Sequence, residues 1–127
     1  MLIDAERSML LVIDVQAKLA PAIAEVEAVV GSVVSLIRSA QRIGVPVAAT
    51  EHYAKGLGPM VPAIRSLLQD SAIGAKNHFS SVAARCLPGL PGYDRPQVVV
   101  IGMEAHVCVL QTALDLLDPE VRITYYG

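Results

Sequence analysis

Short apolar runs alternate with segments of helical period along this chain, and that alternation limits its possible folds more than any other feature. The apolar runs cover residues 9–14, 46–50, 72–75 and 96–101, and residues 121–126 alternate as a half-exposed fifth strand does. Helices are predicted between them, over residues 25–43, 60–69, 77–86 and 107–117. Strands that alternate with helices form right-handed βαβ units, which build a parallel sheet covered on both faces. The sequence therefore predicts a single domain, residues 1–127, with a three-layer α/β/α doubly wound fold.

Individual positions support these boundaries. The run from Met9 to Asp14 is apolar up to its last residue, as expected of a strand buried on both faces. Gly44 follows the first helix as a C-cap, and Pro46 opens the second strand, where proline is tolerated. The chain ends one residue after the last predicted strand, without the helix that usually covers such a strand. We therefore expect a C-terminally truncated domain or coverage by another subunit.

The composition excludes several classes of protein. Apolar residues make up 54% of the chain and charged residues 17%, against about 45–50% and about 25% in typical soluble domains. A net charge of −2 offers no broad basic surface to a nucleic-acid backbone. No apolar run approaches the roughly 18 residues of a membrane-spanning helix. We therefore expect no nucleic-acid or membrane partner, and the apolar excess predicts a homo-oligomer.

The two cysteines, Cys86 and Cys108, form neither a CxxC pair nor a zinc-type cluster with histidine. A secreted disulfide scaffold carries more cysteines, and the acidic N-terminus does not resemble an export signal. We therefore expect a cytoplasmic protein with two free thiols. No metal and no other cofactor is predicted.

Three chemically distinct side chains stand at the ends of predicted strands. Asp14 closes the first strand, Lys76 follows the third, and Cys108 lies near the start of the helix after the fourth. Ligands of open α/β sheets bind at the carboxyl ends of the strands. A helix N-terminus and an ammonium group both favour a thiolate, and a carboxylate can move the thiol proton to a leaving amine. The three residues therefore predict nucleophilic catalysis by Cys108, with Asp14 as base and Lys76 as electrostatic partner.

Further residues near this edge are candidates for contact with a small-molecule substrate. They are Gln16, His52, Tyr53, Asn77 and Phe79. Gln16 follows Asp14 by two residues, so it could orient the carboxylate, bind substrate, or simply begin a loop. His52 could touch substrate or be an ordinary surface histidine. His106 is a weaker candidate for the base than Asp14, because residues two apart usually point away from each other.

Several segments resemble motifs of the isochorismatase-like cysteine hydrolases, in the order in which those motifs occur. They are Leu10-Leu-Val-Ile-Asp14-Val-Gln16, Gly74-Ala-Lys76-Asn-His-Phe-Ser-Ser81 and Val99-Val-Ile-Gly102-Met-Glu-Ala-His-Val-Cys108-Val-Leu-Gln-Thr-Ala113. Two others are most similar to the isochorismatase-domain-containing proteins: Thr50-Glu-His-Tyr-Ala-Lys-Gly-Leu-Gly58 and Gly102-Met-Glu-Ala105. The resemblance spans essentially the whole chain.

The resemblance implies an Asp–Lys–Cys triad, here Asp14, Lys76 and Cys108. It also implies a non-proline cis peptide between Met103 and Glu104. That bond would turn the Glu104 amide toward an oxyanion, beside the amide of Cys108. Together these backbone groups would form an oxyanion hole.

The chain also departs from the family it resembles. Members usually continue well beyond this length, adding a sixth strand and closing helices. Nicotinamidases of this superfamily carry an Asp-x-His metal motif after the second strand, and the matching stretch Thr50-Glu-His-Tyr53 lacks it. Neither a metal nor a nicotinamide specificity is therefore carried over.

Three functions remain open from the sequence. The first is hydrolysis of a small amide or related C–N bond through a thioester on Cys108. The second is an isochorismatase-type cleavage of a vinyl ether, in which the thiol forms no covalent bond. The third is a catalytically silent binding or assembly module. The intact triad favours an enzyme, and the sequence leaves its substrate open.

Overall fold

The computed structural model describes residues 3–16, 26–52, 58–76, 89–102 and 122–125. The strands within these ranges are β1 (Ser8–Ile13), β2 (Val47–His52), β3 (Ile73–Lys76), β4 (Gln97–Gly102) and β5 (Arg122–Tyr125). The helices there are α1 (Val26–Arg42) and α2 (Pro62–Arg65), and short 3₁₀ turns, Ala5–Arg7 and Asp70–Ala72, precede β1 and β3. The predicted helices over residues 77–86 and 107–117 lie outside the described residues.

The five strands form one parallel sheet in the order β3-β2-β1-β4-β5. The chain first builds outward from β1 through β2 to β3, and then returns to add β4 on the other side of β1. This reversal makes the gap between β1 and β4 the topological switch point, where ligands bind in doubly wound folds. The predicted α/β fold with a doubly wound parallel sheet is confirmed.

The burial of β1 in the core explains why its sequence is a continuous apolar run. All six residues of β1 are buried, which requires cover on both faces of the sheet. On one face, Val33, Ile37 and Ala40 of α1 pack in a single cluster with Leu10 and Val12 of β1. These α1 residues are spaced four and three apart, so they share one face of the helix.

The end of α1 follows from its sequence. Gly44 adopts a φ of 79°, a left-handed conformation that glycine accepts without the steric cost of a side chain. The Val45 N–H then donates to the Ala40 carbonyl at 2.8 Å, which closes the helix in a Schellman motif. The predicted C-cap is confirmed.

The predicted helix over residues 60–69 is wrong in its length, because α2 covers only Pro62–Arg65. After Arg65 the chain tightens, and Leu67 and Leu68 donate to carbonyls three residues back rather than four. The Leu67 and Leu68 carbonyls accept from the side chains of Gln41 and Arg65 instead of continuing the helix.

Within the part of the chain that the structure describes, no helix is long and apolar enough to cross a membrane.

Candidate functional site at the carboxyl edge of the sheet

Asp14 lies directly after β1, at the carboxyl edge of the sheet beside the switch point. It is the one described non-glycine residue with a positive φ, 53°. Aspartate tolerates this left-handed conformation better than most residues do, yet it is uncommon and concentrates at functional sites. The side chain is fully buried, with 0% exposure. The predicted position of Asp14 at the end of the first strand is confirmed.

Thr50 of β2 holds Asp14 at two points. The Asp14 N–H donates to the Thr50 carbonyl at 3.1 Å. The Thr50 hydroxyl donates to Oδ1 of Asp14 at 2.8 Å, and Thr50 is itself fully buried. A buried carboxylate needs such donors, because burial without hydrogen bonds is costly. The role of Thr50 was not predicted from the sequence, although it is the first polar residue of β2, after three apolar ones.

Gln16 is also fully buried, and its amide contacts backbone on both sides of the segment 53–57. The side-chain nitrogen donates to the His52 carbonyl at 3.0 Å and to the Gly58 carbonyl at 2.7 Å. The side-chain oxygen accepts from the His52 N–H at 2.7 Å. The Gln16 amide thus links the last residue of β2 to Gly58 through hydrogen bonds. Contact between Gln16 and a substrate stays a prediction.

The stretch from Gly58 to Val61 is held at the same edge by three further contacts. A carboxylate oxygen of Glu51 accepts from the Met60 N–H at 2.7 Å. The Val61 N–H donates to the Val15 carbonyl at 2.9 Å, and Gln16 and Met60 form an isolated antiparallel bridge. The β2 side of the site is therefore tied to the residues that follow β1.

Lys76 is the last residue of β3, where it is paired in register with His52 of β2. His52 is half-buried at this edge. Since β2 separates β1 from β3, the ends of the strands that carry Asp14 and Lys76 lie two strand spacings apart, roughly 10 Å. The structure therefore brings Asp14 and the backbone of Lys76 to one edge of the sheet.

The other half of the predicted site follows β4. Gly102 ends β4 and is paired with Ile13, the residue before Asp14, so β4 ends beside Asp14. Cys108, Met103, Glu104, Tyr53, Asn77 and Phe79 lie outside the described residues. The expected cis peptide and the oxyanion hole therefore stay predictions, as does the meeting of the full triad.

An open groove of about 370 Å³ lies beside this edge, between α1 and the end of β4. Its described lining includes Ala28, Val29 and Ser32 of α1 with Ile101 and Gly102 of β4. Among the described residues, no three His, Cys, Asp or Glu side chains are grouped so that they could hold a metal ion.

Comparison with known proteins identifies the family. Residues 8–126 match the isochorismatase domain. The chain is 36% identical over 120 residues to isochorismatase domain-containing protein 2 of Rattus norvegicus, an alignment that covers 93% of this chain and 55% of the rat protein. The chain thus spans about half the length of this curated relative.

Solved structures of other proteins share the fold, among them the following two. One, described as the MAR1 ribonuclease of Caenorhabditis elegans, has a TM-score of 0.80 and 33% identity, covering 97% of this chain and 64% of that one. The other, the YcaC gene product of Escherichia coli, is described as an octameric hydrolase of unknown specificity. It has a TM-score of 0.88 and 20% identity, covering 97% and 63% of the two chains. With nearly all of its length matched by the domain, this chain belongs to the isochorismatase family of hydrolases, as its motifs predict.

Proposed function

We propose that this chain carries the site of a cysteine-dependent hydrolase that cleaves a small amide or related C–N bond. One observation carries the proposal. A fully buried carboxylate, Asp14, is held by Thr50 in a left-handed conformation at the switch point, beside the strand that leads to Cys108. Non-glycine residues with a strained backbone cluster at active sites, whereas an ordinary aspartate at a strand end needs neither that backbone nor full burial.

The reaction would proceed in two steps. The Cys108 thiol would give its proton to Asp14, and the sulfur would attack the carbonyl carbon of the substrate. The proton on Asp14 would then pass to the leaving nitrogen as the C–N bond breaks, which releases an amine and leaves a thioester. Asp14 would next take a proton from water, whose oxygen displaces the sulfur and yields a carboxylic acid and the free thiol.

Two further groups would support this chemistry. The ammonium group of Lys76 would offset the negative charges of the carboxylate and thiolate. The backbone amides of Glu104 and Cys108 would bind the oxyanion, with the cis bond after Met103 setting their direction. No metal or cofactor takes part in these steps. His52 ends β2, Tyr53 follows it, and Asn77 and Phe79 follow β3, so these residues would line the substrate side at the edge that holds Asp14.

The test is to incubate the chain with small primary and N-substituted amides, and to measure released amine together with the mass of the intact protein. We expect a transient acyl adduct on Cys108 and turnover that Cys108→Ser abolishes. Cys86→Ser is the matched control and should retain full turnover. Turnover that survives Cys108→Ser would refute covalent catalysis.

The same experiment separates the other candidate functions. Cleavage of a vinyl ether such as isochorismate by Cys108→Ser would indicate a non-covalent enzyme. The MAR1 ribonuclease, 33% identical, makes RNA a further candidate, although this chain's net charge of −2 disfavours a nucleic-acid substrate. RNA cleavage that persists in Cys108→Ser would favour that function. Binding without any turnover would indicate a catalytically silent module.

We also infer that the chain forms a homo-oligomer in the cytoplasm, where a reducing environment would keep Cys108 a free thiol. Three large apolar side chains around one recess are exposed: Ile3 at 44%, Leu36 at 39% and Ile43 at 66%. Such a patch favours association. Sedimentation velocity at micromolar concentration should show a species larger than 13.4 kDa. A strictly monomeric particle would contradict this inference.

A further inference from the structure

We propose that Thr50 is a positioning residue that gives the two carboxylate oxygens of Asp14 different tasks. In this assignment Oδ1 stays bound to the Thr50 hydroxyl, and Oδ2 accepts the thiol proton and passes it to the leaving nitrogen. The inference rests on the proposed function, since it assumes that Asp14 is the base. It adds a residue and an atom to that function.

The geometry fixes Asp14 relative to Thr50 with little freedom. Thr50 is paired in register with Ile13, the residue before Asp14. From that position its carbonyl accepts the Asp14 N–H and its hydroxyl donates to Oδ1. Two bonds from one residue therefore hold both the backbone and the side chain of Asp14, and a φ of 53° turns that backbone out of the strand.

A hydroxyl group is suited to this task because it distinguishes the oxygens in both protonation states of Asp14. When Asp14 is ionised, the hydroxyl hydrogen occupies Oδ1. When Asp14 carries the proton, that same hydrogen still points at Oδ1 and opposes a second hydrogen there, so the proton resides on Oδ2. The β-branched threonine has a restricted χ1, which keeps the donor aimed at Oδ1.

Burial makes this contact consequential. Asp14 and Thr50 are both fully buried, so water competes little with the hydroxyl for Oδ1. A hydrogen bond to a charged group in a low-dielectric site is stronger than the same bond at a surface. Thr50→Val removes the hydroxyl and nearly preserves the volume, while Thr50→Ser keeps the hydroxyl and removes a methyl group.

The test compares two acetyl donors that differ in what their leaving group requires. The leaving group of p-nitrophenyl acetate departs as a stable anion, whereas the nitrogen of p-nitroacetanilide needs a proton from Asp14. Single-turnover release of p-nitrophenolate or p-nitroaniline gives the rate at which each probe acylates Cys108. The readout is the ratio of the anilide rate to the ester rate, because a general loss of structure lowers both rates alike.

We expect Thr50→Val to lower this ratio by about tenfold to a hundredfold. This loss is part of the rate enhancement that general acid catalysis contributes. Thr50→Ser should restore the ratio. In an Asp14→Asn background Thr50→Val should change the ratio no further. Asparagine carries no proton to the leaving nitrogen, so Thr50 then has no proton transfer to direct. Equal losses on both probes, or a serine variant that behaves like valine, would overturn the assignment of Thr50 alone.

Failure of the proposed function is distinguishable from failure of this inference. If wild-type Cys108 is acylated by neither probe, or if Cys108→Ser retains the wild-type rates, the cysteine hydrolase itself is refuted and the role of Thr50 is refuted with it. If Cys108→Ser and Asp14→Asn abolish anilide cleavage while Thr50→Val leaves the ratio unchanged, the hydrolase stands and only the role of Thr50 is refuted.

Discussion

Replacing Gln16 with methionine should destabilise the fold strongly, although methionine is also an unbranched side chain of similar length. The substitution removes three hydrogen bonds, two to the His52 backbone and one to the Gly58 carbonyl. Each such bond contributes about 1 kcal/mol net, and backbone groups left unsatisfied in the interior add to the loss, so we expect about 3–5 kcal/mol in total. Since domains are stable by only about 5–15 kcal/mol, this is a large share of the free energy of unfolding.

Gln41 provides the matched control. Its side-chain nitrogen donates to the Leu67 carbonyl at 2.9 Å, and Gln41 lies at the surface. Gln41→Met should therefore cost less than about 1 kcal/mol. Urea unfolding followed by circular dichroism gives both free energies of unfolding. If the two variants lose the same stability within about 0.5 kcal/mol, the buried amide of Gln16 does not hold this edge together.

The remaining predictions concern the close packing at Gly92 and the reactivity of the Cys108 thiol. Gly92→Ala should destabilise the fold by more than Gly89→Ala. Both glycines have a positive φ, so the backbone strain is common to the two variants. A Cβ at Gly92 would lie 2.8 Å from side-chain carbons, whereas a Cβ at Gly89 would meet open space. Thermal unfolding measures the difference, and equal losses would contradict the packing at Gly92. Iodoacetamide at neutral pH should modify Cys108 faster than Cys86, and Lys76→Ala should slow only Cys108. Peptide mass spectrometry measures both rates, and equal rates at both thiols would contradict an activated Cys108.

The strands of the sheet could be predicted because burial on two faces leaves a clear pattern. β1 and β4 are continuous apolar runs, and their cores fall where the sequence predicts them. β2 extends two residues past the predicted boundary, to His52. Glu51 and His52 are polar, yet they stay in the sheet because β3 continues the ladder through Ala75 and Lys76. A prediction based on apolar runs cannot detect polar residues that remain in a strand because they pair with a neighbouring strand.

The long-range contacts of Asp14 and Gln16 could not be predicted in the same way. Thr50 and Gln16 each contact residues 36 positions away in sequence, and those contacts depend on the register of β1 against β2. No local spacing determines that register. Asp14 itself was accessible to prediction because the end of a strand is a local feature. Its left-handed backbone was not, since it follows from how the chain leaves the strand at this edge.

The proposed site is divided by the switch point into two halves with different supports. The half that holds Asp14, the proposed base, is built by β1 and β2: Thr50 fixes Asp14, and Gln16 fixes the end of β2. The proposed nucleophile follows β4, on the opposite side of β1. Changes along β2 should therefore alter proton transfer while leaving the intrinsic reactivity of the thiol nearly intact, and changes after β4 should do the reverse. Comparing alkylation of Cys108 with amide turnover in variants of each half would separate the two contributions.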